Sequence, residues 1–254
     1  MLNIQTLCAG YPKQSVLQGI SLSVPKGKIT AVLGPNGCGK STLLKVIAGI
    51  LPTAEGKVIW DGTDLATYPP QERAKLIAFL PQNRQIPETT VKQLVLHGRF
   101  PYLHYPRRYR KEDMEIAEQA MRQMGVEDLA HRNLLTLSGG QLQKVYIAMA
   151  LAQDTQVVLM DEPTTFLDVG HQLHMMGQAR FLADIGKTVV LVLHDLSMAL
   201  KYADHLAVLV DGTLLIEGDA ETVFHSKTLD TAFGVQVLRT SSADGWQYYC
   251  KEGD

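Results

Sequence analysis

Apolar positions along this chain fall into two kinds of run. Some alternate with polar residues. Residues 2–7 (LNIQTL) and 20–24 (ISLSV) do so, and residues 57–60 lead into an Asp61-Gly62 turn. Alternation with a period of two marks strands with one buried face. Others are continuous: residues 29–33 (ITAVL), 76–80 (LIAFL), 157–160 (VVLM) and 188–193 (TVVLVL). Short unbroken apolar runs predict strands buried on both faces. Residues 206–210 and 213–216 flank Asp211-Gly212, which predicts a hairpin on that dipeptide. Helical spacing lies between these runs. Leu44, Ile47, Ala48 and Leu51 form one stripe; Met114, Ala117, Met121 and Met124 form another; Leu142, Val145 and Met149 form a third.

Buried strands alternating with helices predict an α/β fold with a mainly parallel sheet, covered by helices on both faces. The short alternating segments predict a small antiparallel sheet beside it. Residues 88–152 hold no strand-type run and read as an α-helical subdomain inserted in the α/β core. This assigns residues 1–235 to one domain and leaves 236–254 as a short polar C-terminal tail.

The composition excludes several functions. Of 254 residues, 46% are hydrophobic and 20% charged, and the formal net charge is −2. Nothing global draws the chain to nucleic acid or to an anionic membrane. The three cysteines, Cys8, Cys38 and Cys250, are odd in number and far apart, so no disulfide framework or metal site is expected, and they suit a reducing cytosol. Met1 opens directly into strand-like alternation, so no secretory leader is expected. No apolar run approaches 18 residues, so any membrane spans must come from a partner.

The densest chemistry is residues 34–42, GPNGCGKST: Gly34, Pro35, Asn36, Gly37, Cys38, Gly39, Lys40, Ser41 and Thr42. The stretch fits the phosphate-loop pattern G-x-x-x-x-G-K-[ST] and lies between a buried-strand run and an amphipathic helix. Glycines let the backbone close around an anion, and successive N–H groups with the helix N-terminus then bind phosphate. Lys40 is expected at the β- and γ-phosphates and Ser41 on Mg²⁺. Cys38 takes a variable position and reads as a small tolerated side chain. Three further apolar runs end in polar residues: Leu80 near Gln82, Met160 before Asp161-Glu162, and Leu193 before His194. Parallel sheets bind ligands at the carboxyl ends of their strands, so these residues are expected around one γ-phosphate.

Two motifs then point to a family. Residues 137–141, LSGGQ, resemble the signature of ABC ATPases, and residues 161–168, DEPTTFLD, resemble their Walker B segment and D-loop. Gln82 falls at the Q-loop position, His194 at the switch histidine, and Tyr11 where an aromatic ring stacks on adenine. The resemblance covers nearly all of residues 1–235 and implies an ABC-type nucleotide-binding domain of the P-loop NTPase fold that hydrolyses ATP with Mg²⁺. It implies that Asp161 holds Mg²⁺ beside Ser41, with Gln82 contacting the metal and the attacking water. Glu162 becomes the general base, and His194 contacts the γ-phosphate. The signature residues Ser138, Gly139, Gly140 and Gln141 bind the γ-phosphate of a second subunit, with Asp168 across the same interface. One chain has one signature and one phosphate loop, so a head-to-tail dimer is expected, most simply a homodimer.

Residues 93–103 (QLVLHGRFPYL) and 148–168 most resemble ATP-binding subunits of importers for iron-siderophore, haem or cobalamin chelates. That implies a peripheral protein at the cytoplasmic face of the membrane, a multi-span permease partner and, indirectly, an extracytoplasmic binding protein. One departure stands out: Leu142 follows the signature glutamine where the family often has a basic residue, and Lys144 keeps one charge. The alternative is a soluble ABC ATPase acting as an assembly or scaffold factor. Arg99, Arg107, Arg108, Arg110 and Lys111 interleave with Phe100, Tyr102, Tyr105 and Tyr109, a mixture that also suits nucleic acid. Without a basic excess over the whole domain, the segment reads as a docking surface for the permease, and no nucleic-acid partner is expected.

Overall fold

A computed structural model describes residues 1–82, 85–165, 167–243 and 245–253; Phe166 of the DEPTTFLD stretch lies outside the described residues. In chain order the elements are β1 (Leu2–Tyr11), β2 (Gln14–Val24), β3 (Ile29–Leu33), α1 (Lys40–Ile47), β4 (Glu55–Trp60), β5 (Thr63–Asp64), α2 (Pro70–Leu76) and β6 (Ile77–Leu80). Then come α3 (Val91–His97), α4 (Lys111–Gln123), α5 (Gly139–Ala152), β7 (Val157–Met160), α6 (Val169–Asp184), β8 (Thr188–Val192), α7 (Leu196–Tyr202), β9 (His205–Val210) and β10 (Thr213–Gly218). The chain ends with α8 (Ala220–Ser226), α9 (Thr228–Phe233), β11 (Val235–Ser242) and β12 (Gly245–Glu252).

The main sheet runs in the order β10-β9-β3-β8-β7-β6. Its strands are parallel except β10, which pairs antiparallel with β9. The continuous apolar runs have a simple cause. Ile29, Ala31, Leu33, Val158, Met160, Val189 and Leu191 enter one core, which the helical side covers. Val32, Val157, Leu159, Val190 and Val192 enter a second core on the opposite face, filled by α1 and the small antiparallel sheet. Successive strand residues alternate between faces, and both faces here are dry. The antiparallel sheet, ordered β2-β1-β4-β5, contributes Leu2, Ile4, Leu7, Leu17, Ile20 and Leu22 to that second core.

Between β6 and β7 the chain makes α3, α4 and α5, and Val91, Val95, Ala117, Met121 and Val145 pack together. Each helix start is chemically marked. Thr90 and Gln93 form a reciprocal capping box on α3, as do Ser138 and Gln141 on α5.

Two local expectations change. Leu76 closes α2, with Pro70 in that helix's first turn, and the strand begins at Ile77. Residues 236–254, expected as a tail, carry most of a β11–β12 hairpin in continuous register from Val235↔Glu252 to Ser242↔Gly245. Val237 is buried in the main core, and the Val237 N–H donates to Asp230 Oδ1 at 3.0 Å. The Tyr248 ring packs edge-on against Phe224 at 5.6 Å.

Candidate nucleotide site

All five residues of β3 are buried, so the strand is a fixed platform for residues 34–39. Gly34 has φ 152°, and a Cβ there would lie 2.1 Å from the Leu209 carbonyl oxygen. Gly39, at φ 105°, caps α1 without a side-chain hydrogen bond, so no cap side chain stands between the first turn of the helix and an anion. Lys40 is 5% exposed and lies across the loop, its Nζ donating to the Gly34 carbonyl at 2.7 Å and the Pro35 carbonyl at 2.9 Å. Burial pushes the Cys38 thiol up, which keeps it protonated inside the loop.

The carboxyl end of β7 supplies the acids. The Asp161 N–H donates to the Leu80 carbonyl at 2.9 Å, which joins the ends of β6 and β7. Ser41 Oγ donates to Asp161 Oδ1 at 2.8 Å. Burial raises the Asp161 carboxyl; the Ser41 hydrogen bond opposes this, and the Glu162 charge adds to it. A hydroxyl and a buried carboxylate at hydrogen-bond distance form an all-oxygen pair, the donor chemistry a hard divalent cation takes.

Glu162 sits at φ 49°, a left-handed backbone that non-glycine residues seldom adopt. Three side chains hold its carboxylate. Gln82 Nε2 and Thr165 Oγ1 donate to Oε2, the latter at 3.1 Å, and His194 Nε2 lies 2.6 Å from Oε1. Residues from the ends of β6, β7 and β8, far apart in sequence, therefore meet at one carboxylate. A groove of about 260 Å³ runs from Tyr11, Gln14 and Val16 past Asn36, Lys40 and Thr42 to Glu162. Tyr11 is 42% exposed at its rim, and its hydroxyl accepts from Lys45 Nζ at 3.4 Å.

The signature residues form a second group. Ser138 Oγ accepts from the Gln141 N–H at 3.3 Å, and Gln141 Oε1 accepts from the Ser138 N–H at 3.1 Å. These side chains thus satisfy each other, and the N–H groups of Gly139 and Gly140 remain in the open first turn. Ser138, Gly140 and Gln141 line a cavity of about 180 Å³ between α5 and α6, which shares no residue with the phosphate-loop groove. Asp168 belongs here too. It caps α6, accepting from the His171 N–H at 2.8 Å, and that bond, followed by the His171 ring, holds its carboxyl below the usual range. Leu142 packs on the main core, and Lys144 borders the signature cavity.

Two residues that the motifs do not single out join these groups: Thr165 on Glu162, and His171 on Asp168. An Asp at a helix start with a His three residues on is the signal that could have marked the second. The expected basic segment also divides. Arg99 is 7% exposed; its Nε donates to Asp113 Oδ1 at 3.1 Å, Nη1 donates to the Ala152 carbonyl at 3.0 Å, and the guanidinium stacks on Tyr102. It is an internal brace, whereas Tyr105 is 98% exposed and Arg107 lies over the Phe100 ring.

The family model described as ABC transporter matches residues 17–165. The chain belongs to this family. Among curated relatives, the achromobactin transport ATP-binding protein CbrD of Dickeya dadantii is 43% identical over 90% of this chain and 86% of its own length. The ferric enterobactin transport ATP-binding protein FepC of Escherichia coli is 39% identical, over 92% of this chain and 87% of its own. The chain also superposes on a nucleotide-free ATP-binding cassette from an ABC transporter, with a TM-score of 0.80, 29% identity, and coverage of 89% of this chain and 94% of that one. As an ABC ATP-binding subunit the chain binds and hydrolyses ATP. No helix among the described residues is long and apolar enough to cross a membrane.

Proposed function

We propose that this chain is the ATP-hydrolysing motor of an importer for iron chelates of the siderophore or haem type, acting as a head-to-tail homodimer on a membrane permease. The observation that carries the chemistry is the convergence of Gln82, Thr165 and His194 on Glu162, beside the Ser41–Asp161 pair. The cargo class rests on relatives named for the transport of achromobactin, ferric enterobactin and hemin.

ATP lies along the groove with its adenine against Tyr11 and its phosphates in the loop. The N–H groups of residues 36–41 face the phosphates, and Lys40 exchanges the Gly34 and Pro35 carbonyls for phosphate oxygens, a stronger acceptor for a cation. Ser41, Asp161 and Gln82 would hold Mg²⁺, which when bound neutralises phosphate charge. Glu162 accepts the proton of the attacking water, a role typically worth about 10²–10⁴-fold in rate. Gln82 and Thr165 fix the carboxylate that must receive it, and His194 turns from Glu162 toward the γ-phosphate. The N–H groups of Gly139 and Gly140 with the Ser138 hydroxyl bind the γ-phosphate held by a second copy, and Asp168 lies across the same interface. The chain works peripherally at the cytoplasmic face.

For the permease, the segment after α3 offers the best-fitting surface. A cleft of about 290 Å³ between α2 and residues 100–107 is lined by Pro70, Gln71, Ala74, Phe100, Leu103 and Arg107. Its apolar floor and cationic rim suit a short amphipathic helix. Reconstitution with a permease and a siderophore-loaded binding protein tests the reading: ATP hydrolysis and uptake should rise together. Vigorous hydrolysis unaffected by any such permease would count against the importer assignment.

A further inference from the structure

His171 occupies the first turn of α6, and it touches both segments that the head-to-tail reading turns toward a second copy. Its ring Nδ1 lies 2.8 Å from each carboxylate oxygen of Asp168. A carboxylate only accepts, so Nδ1 carries the proton and the ring plane is fixed. The opposite edge of the ring rests on the signature turn. A Cβ built on Gly140 would lie 2.3 Å from His171 Cδ2 and 2.6 Å from Nε2. A side chain at 140 would have to displace the ring from this place, against its contact with Asp168.

We propose that His171 is a positioning residue that joins the Asp168 loop and the signature turn into one recognition surface for the partner copy's nucleotide; this rests on the head-to-tail reading above. The capping box of α5 ties Ser138 to Gln141, and neither bond involves Gly139 or Gly140. The ring supplies the missing constraint from a neighbouring helix. The Gly140 N–H is then aimed before the partner arrives, which lowers the ordering cost of binding. A movement of Asp168 on contact with the partner reaches the signature turn through one side chain.

The test uses E162Q protein, in which slow turnover lets the ATP-bound dimer accumulate. E162Q and E162Q/H171A are titrated with Mg-ATP and their dimer fraction read by size-exclusion chromatography. The H171A change should raise the ATP concentration for half-dimerisation about tenfold, within the usual range for coupling between sites. Binding of a fluorescent ATP analogue to the dilute monomer should stay within about twofold, because the phosphate loop is a separate group of residues. H171N keeps an amide donor toward Asp168 but lacks the ring edge that rests on Gly140, so it should lose about as much as H171A, whereas a role confined to the Asp168 bond would let it recover. G140A should impair dimerisation more with His171 present than in the H171A background, because the clash is with the ring. The proposal is overturned if H171A dimerises at the E162Q concentrations, if H171N recovers the loss, or if G140A costs the same in both backgrounds. If E162Q with His171 intact never dimerises, the head-to-tail reading itself fails, independently of position 171, and takes this inference with it.

Discussion

Glu162 shows how much this fold spends on one carboxylate: a left-handed backbone and side chains from three strand ends. Strained backbone gathers where geometry matters for chemistry. Lys40 is the complementary case, a buried cation whose Nζ donates to the Gly34 and Pro35 carbonyls. K40A should abolish hydrolysis and weaken ATP binding by at least about tenfold, the cost of losing a charge-assisted contact to phosphate. Wild-type turnover of purified K40A would remove the residue from the site. Asp168 gives a pH signature. Its carboxyl is held below the usual range by the His171 N–H and ring, so its contribution to stability is present above the ordinary Asp value of about 3.9 and lost as pH falls through the lower folded value. In urea unfolding, the stability gap between wild type and D168N should shrink as pH falls below about 4. A gap that ignores pH would mean the charge is not what Asp168 contributes. At this scale, sequence spacing pointed to one meeting place for Gln82, Glu162 and His194 because strand ends share an edge. It could not reveal Thr165 or His171, whose contacts depend on a strained turn and on how α6 lies against α5.

Among the elements, the strands of the main sheet were the most legible, because burial on both faces writes an unbroken apolar run into the sequence. The β11–β12 hairpin was not legible, because one of its faces is exposed and little of it is buried beyond Val237. Helix α2 was hidden by its brevity and by the adjoining Leu76–Ile77 boundary, where apolar residues continue across a change of structure. Arg99 misled for a related reason: a charged residue among cations reads as surface, yet this one is internally paired. R99A should leave Asp113 buried without its cation and destabilise the protein by roughly 3 kcal/mol, typical of breaking a buried pair; chemical denaturation measures this, and a loss under about 1 kcal/mol would mean that Asp113 is fully served by the Arg110 N–H. Arg107 and Arg108 should behave oppositely. R107E/R108E should leave the basal ATPase of the isolated chain nearly unchanged, since neither borders the phosphate-loop groove. The same variant should weaken assembly with the permease and reduce stimulation by loaded binding protein, read by co-purification and coupled ATPase assay. Normal assembly would make the segment a solvated loop; loss of ATP binding would place it nearer the nucleotide than the cleft between α2 and residues 100–107 suggests.

For the whole molecule, the phosphate-loop groove and the cavity beside Ser138, Gly140 and Gln141 share no lining residue, and Gly139 lines a third cavity with Gln82, Glu162 and Thr165. The phosphate loop and Glu162 border the groove, whereas Ser138, Gly140, Gln141 and the Asp168-bound His171 border the other cavity. On the head-to-tail reading proposed above, a second copy brings its signature turn to the phosphate loop of the first. The sequence implied a second copy by carrying one of each motif, but the separation of the groove from that cavity is a property of the fold. The most direct measurement is therefore the mass of E162Q protein in solution with and without Mg-ATP, by size-exclusion chromatography with light scattering, alongside its rate of phosphate release. Gln keeps the size of Glu162 but cannot accept the water's proton. The account predicts that hydrolysis falls by at least about a hundredfold, while Mg-ATP converts one-chain particles to two-chain particles. An E162Q chain that hydrolyses ATP at the wild-type rate, or stays monomeric at saturating Mg-ATP, would contradict it.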